Sequence, residues 1–64
     1  MLEINQEVIQ LTNEIKKIAK QYTEFDDFYV DMKDKDTSSK YLKVFRAREY
    51  ARILQVAAIE ANLI

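Results

Sequence analysis

Apolar residues in the first half of the chain recur at alternating steps of four and three: Ile4, Val8, Leu11, Ile15, Ile18, Tyr22, Phe25, Tyr29 and Met32. That spacing marks one face of an α-helix and predicts a single long helix over about 2–33. Thr23-Glu24-Phe25-Asp26 resembles a capping box with Asp in place of Glu, which would start a separate helix near Thr23. The seam stays in step across that point, whereas a break normally shifts its register. The expectation is therefore continuous helix, with Phe28, Ala19 and Ile9 beside the seam widening its apolar stripe.

A polar run follows, Asp34-Lys35-Asp36-Thr37-Ser38, whose short side chains compete for backbone hydrogen bonds and predict a turn over about 34–38. Thr37, Ser38 or Ser39 then serves as N-cap for a second helix over about 39–61. Its seam is Val44, Ala47, Ala51, Leu54, Ala58 and Ala61, mostly alanine. Folding back near Asp36 sets Phe25 opposite Ala47, Tyr22 near Ala51, Ile18 against Leu54, Ile15 near Ala58 and Leu11 near Ala61. Large residues then face small ones, the alternation that lets facing layers interdigitate. The expected fold is all-α: one domain over 1–64, an antiparallel two-helix hairpin.

Composition strengthens the helical reading and adds a second expectation. The 64 residues include no Gly and no Pro, which argues against the tight turns of a multi-stranded fold. They also include no Cys and no His, which removes disulfides and the commonest metal ligands as staples for a chain this short. Self-association is the remaining route to a sufficient core. Leu2, Ile4 and Val8 overhang the expected hairpin, and Val56, Ile59 and Leu63 lie off the alanine seam. These six residues are the candidate self-association surface of a homo-oligomer, a four-helix dimer or higher bundle.

The formal charge of −1 gives no global field toward nucleic acid or acidic lipid, so electrostatic recognition has to be local. Two segments qualify. Glu24, Asp26, Asp27, Phe28 and Asp31 form a candidate acidic, aromatic tip for docking a basic partner protein. Lys40, Lys43, Arg46, Arg48 and Arg52, opposed in that stretch only by Glu49, form a candidate phosphate-contacting set, although on a helical wheel they spread around most of the circumference.

Other chemistry is poorly supplied. Asp34, Asp36 and Ser38 match the start of a calcium loop, but Ser39 stands where the turn needs Gly and Phe45 where a bidentate Glu should close the shell. No His, no Cys and no Gly-rich phosphate loop leave little for catalysis, so no enzyme activity, metal or cofactor is expected. The N-terminal residues lack a basic region followed by an apolar run, and no apolar stretch reaches membrane-spanning length. The expected location is the cytoplasm, with no membrane contact.

In length and expected helical-hairpin dimer topology the chain resembles the Rop-type regulators of plasmid copy number. The likeness covers size and topology and transfers no residue. It implies the second of two functional expectations, a helical dimer binding nucleic acid through the basic first half of the second helix. The first is a small protein-interaction module: an oligomeric adaptor, regulator or inhibitor of a larger protein.

Overall fold

The computed structural model describes residues 6–64. They form four helices: α1 (Gln6–Ala19), α2 (Phe25–Lys33), α3 (Lys35–Leu42) and α4 (Ala47–Glu60). The all-α class holds, and the layout within it differs from two long rods. The expected first helix is interrupted at residues 20–24, the expected turn at 34–38 lies largely within α3, and the expected second helix is interrupted at 43–46. A straight helix over 2–33 would be about 48 Å long at ~1.5 Å per residue. The longest dimension of the described residues is 39 Å.

Burial explains the first break. In a continuous helix Phe28 would lie beside the seam at the margin of the hairpin contact, whereas folding back after Ala19 buries both Phe28 and Met32. Helix α1 closes through Gln21 N–H to Ile18 C=O (3.0 Å) and Tyr22 N–H to Ala19 C=O (3.2 Å). The Tyr22 ring then packs on Phe28 at 5.6 Å between centroids, and its hydroxyl donates to Asp31 at 2.7 Å, fastening the connection to α2. Glu24 is the N-cap of α2 and contributes no side-chain cap bond. Asp26 and Asp27 complement the helix dipole from the first turn.

The acidic and hydroxyl residues expected to make a turn instead start a helix. Asp34 accepts from the Asp36 backbone N–H at 2.9 Å, the N-cap bond that lets α3 follow α2 with a single residue between them. Helix α4 begins with half of a capping box, in which the Glu49 carboxylate accepts the Arg46 backbone N–H at 3.0 Å. A guanidinium has no acceptor to return the bond. At its C-terminus Asn62 takes the left-handed conformation (φ 62°), Leu63 N–H reaches Ala58 C=O at 2.8 Å, and Asn62 N–H reaches Ile59 C=O at 3.1 Å. This is a Schellman cap made with Asn where Gly is usual.

One core joins all four helices. It holds Leu11, Ile15 and Ala19 of α1, Phe28 and Met32 of α2, Tyr41 of α3, Phe45 of the connection, and Tyr50, Leu54, Ala57 and Ala58 of α4. The most extensive helix contact is α1 on α4. The expected α1 face is therefore the buried one. The expected α4 seam holds in its second half and rotates in its first, where Tyr50 is buried, Ala51 is half-buried and Ala47 is exposed. Ala58→Leu is accordingly expected to cost about 1–3 kcal/mol by overpacking. Ala47→Leu should change stability by less than ~0.5 kcal/mol. Urea midpoints of the two variants check this, and equal shifts would refute the rotated seam.

Two tyrosines centre the α2–α3–α4 junction. The rings of Tyr41 and Tyr50 stack at 5.4 Å and 14°, and the buried Tyr50 hydroxyl donates to the Met32 backbone carbonyl. Burial, with a smaller contribution from Tyr41, pushes the Tyr50 phenol up to about 12. Burial also raises Tyr41. No buried side-chain polar atom among the described residues lacks a partner.

Candidate interaction surfaces

The acidic segment becomes the outer face of α2. Phe28 and Met32 turn this helix inward, and opposite them lie the exposed residues Asp26, Asp27, Val30, Lys33 and Asp34. Val30 is 66% exposed. Asp26 stands one turn before it along the helix and Asp27 three residues before it, so the apolar knob has carboxylates on its N-terminal side, while Asp34, just past the helix end, turns its carboxylate to cap α3. None of Glu24, Asp26, Asp27 or Asp34 joins an ion pair within the described residues, where the ion pairs are Lys16–Glu60 at 3.1 Å and Lys40–Glu14 at 2.9 Å.

Two members of the expected tip have other tasks. Phe28 is 0% exposed and belongs to the core, so it is unavailable to a partner. Its position beside the expected seam faces inward once α2 is a separate helix. Asp31 is exposed but accepts the Tyr22 hydroxyl, and that bond to a carboxylate raises the Tyr22 phenol. The aromatics at the margin are half-buried: Phe25 lies against Tyr29 at 5.3 Å, and the Lys33 ammonium sits 5.5 Å from the Tyr29 ring centre.

The basic set divides. Lys40 is held by Glu14, a bond that raises its pKa, and lies 5.7 Å from the Tyr41 ring centre. Lys43, Arg46, Arg48 and Arg52 are exposed and join no ion pair within the described residues. Only Arg48 and Arg52 share a helix face. Their row continues along the outside of α4 into Val56 and Ile59, spaced by four, four and three residues. Val56 is 43% and Ile59 58% exposed, and the half-exposed Glu60 flanks them.

The expected self-association set is thus reduced. Val56 and Ile59 are outward. Leu63 is drawn onto the core by the Schellman cap and Val8 packs against the same core, so both are half-buried. Leu2 and Ile4 lie outside the described residues. The described residues contain no cluster of metal-ligating side chains and no ligand-sized pocket. No helix among them is long and apolar enough to cross a membrane.

No protein-family model, curated protein or solved structure matches the chain. Its surfaces therefore have to be interpreted from their own chemistry. Sequence reasoning missed Val30 as the centre of the acidic face, although an apolar residue off the seam with Asp at −4, −3 and +4 was visible. It also missed the Tyr41–Tyr50 pair, because both residues lie off the alanine seam.

Proposed function

We propose that the chain is a small, non-enzymatic protein-interaction module that presents the outer face of α2 to a basic partner protein and associates with itself through α4. The observation that carries the first half is Val30, exposed beside the unpaired carboxylates of Asp26 and Asp27. A desolvated apolar centre with a charged rim suits a partner that brings an apolar pocket edged by Lys or Arg. The carboxylates steer the encounter, and Val30 supplies area that water does not compete for. Adaptor, regulator and inhibitor are all roles that such a face supports.

The test uses residues whose only structural task is the small dipole contribution of Asp26 and Asp27 to the first turn of α2. Asp31 holds Tyr22 and Asp34 caps α3, so both are left intact. The variant combines Asp26→Asn, Asp27→Asn and Val30→Lys. Affinity capture followed by mass spectrometry is expected to yield a protein held by the wild type and lost, at least tenfold, by this variant, with helicity unchanged by circular dichroism. Equal capture by both would remove α2 as the contact.

A second reading, nucleic-acid binding by a helical dimer, is favoured by the unpaired Lys43, Arg46, Arg48 and Arg52. Binding to duplex RNA or DNA that falls steeply with salt and is abolished by Arg48→Ala with Arg52→Ala would support it over the first.

A further inference from the structure

The outer face of α4 has a polarity that a second copy of the same helix matches. Arg48 and Arg52 lie toward its N-terminal end, Val56 and Ile59 in its second half, and Glu60 at its C-terminal end. Arg52 has no carboxylate partner in the described residues. Glu60 engages Lys16 through one oxygen, Oε2, and is half exposed, leaving the other oxygen for a second donor. A face with cations at one end, an anion at the other and apolar residues between is self-complementary when two copies run antiparallel.

We infer that two chains pair through antiparallel α4 helices about a two-fold axis between Val56 and Ile59, with Arg52 of each reaching Glu60 of the partner subunit. The inference rests on the self-association part of the proposed function and assigns its surface and register. With Val56 level with Ile59 of the partner subunit, Arg52 comes level with residue 63 of that copy. Glu60 is three residues back, about 4.5 Å along the axis at ~1.5 Å per residue, within reach of an arginine side chain. A two-fold axis repeats every contact, so each dimer holds two apolar layers and two such pairs. The arginine stems add cover to the apolar centre while the guanidinium groups stay at its edge.

The contact is small. In this register the two α4 helices run side by side only over residues 55–60, about 9 Å at ~1.5 Å per residue, so the pair falls at the low end of specific interfaces, and a dissociation constant of roughly 10–100 µM is expected.

The experiment is sedimentation across about 1–500 µM of wild type, Arg52→Glu, Glu60→Arg and an equimolar mixture of the two variants, with helicity monitored in each. Arg52 is exposed, and Glu60→Arg gives up only the partly exposed pair with Lys16, worth little, so the fold should survive either change. Each variant alone faces like charges across the axis and is expected to dimerise on the order of tenfold or more weaker than wild type. In the mixed dimer the carboxylate introduced at position 52 meets the guanidinium introduced at position 60, and the native Arg52 of one variant meets the native Glu60 of the other. Both pairs are restored, and with them the wild-type affinity. A dimer indifferent to both substitutions, or variants that weaken without recovery on mixing, would overturn the register while leaving self-association standing. A wild type that stays monomeric over the whole range would overturn both.

Discussion

Phe28→Ala is expected to destabilise the protein by about 3–5 kcal/mol, the range for deleting a buried aromatic ring. In a chain of 64 residues that is comparable with the whole stability available to a small domain, so much of the population should be unfolded at 25 °C. Phe28 has no exposed surface, touches the Tyr22 ring that closes the α1–α2 connection, and belongs to the core shared by all four helices. Few neighbours can collapse into the space it leaves. Thermal unfolding followed by circular dichroism measures the loss. If Phe28 were instead an exposed member of a docking tip, Phe28→Ala would leave the melting temperature unchanged and abolish partner capture alone. That contrast makes this residue the most decisive single test of the fold.

The second large effect centres on Tyr50. Tyr50→Ala is expected to cost about as much as loss of Phe28, because it removes a buried ring and leaves the Met32 carbonyl without its donor. Tyr50→Phe separates the two contributions: the stacked ring survives, and the cost of the orphaned carbonyl alone should be about 1–3 kcal/mol. The same residue sets an alkaline limit. Its folded-state value, about 12, lies above the ordinary 10, so the folded protein holds the phenolic proton more tightly than the unfolded chain does. The resulting stabilisation is complete below pH 10 and is lost as pH rises toward 12. Denaturant midpoints should fall across that window in the wild type, and the part of the fall due to Tyr50 should vanish in Tyr50→Phe.

Much of the helical content was legible, and the physical reason is composition. Without Gly or Pro the chain has few cheap ways to be anything but helical, and the inward face of α1 could be taken directly from Leu11 and Ile15. Leu54, Ala58 and the outward Val56 and Ile59 followed from the same periodicity. The breaks were not legible. A heptad seam reports phase, and phase survives when a short connection happens to preserve it: Ile18, Tyr22, Phe25 and Tyr29 remain in step although the helix stops at Ala19. What the seam could not reveal is that Phe28, which lies beside it, outranks Phe25 and Tyr29 for the interior. That choice depends on how much surface a folded-back chain can bury, which is a property of the whole chain. The polar run was ambiguous for a local reason, since residues that favour turns also favour N-caps, and Asp34 acts as a cap. The second break had a faint signal in Glu49, three residues after Arg46, and in the spacing of Tyr41 and Phe45, which shares no seam with Ala47 and Ala51.

On the candidate surfaces, residue type was legible and availability was not. Acidic and basic segments were evident, but which members are already engaged depends on contacts between distant positions, such as Glu14 with Lys40 and Tyr22 with Asp31. Those contacts remove Lys40 and Asp31 from the free surface and leave Asp26, Asp27 and Val30 exposed and bound to no other side chain by an ion pair.

The packing of α1 against α4 also bears on how the protein is made. Of the four helices, α1 is synthesised before the others and has its apolar side covered chiefly by α4, so Leu11, Ile15 and Ala19 stay open while α2 and α3 are added. At roughly 5–20 residues per second that interval lasts a few seconds, long compared with the microseconds in which a helix forms. A nascent chain therefore carries an amphipathic segment with its apolar side uncovered until Leu54, Ala57 and Ala58 arrive. During that interval it is open to chaperones and to premature association with its own kind on the same message.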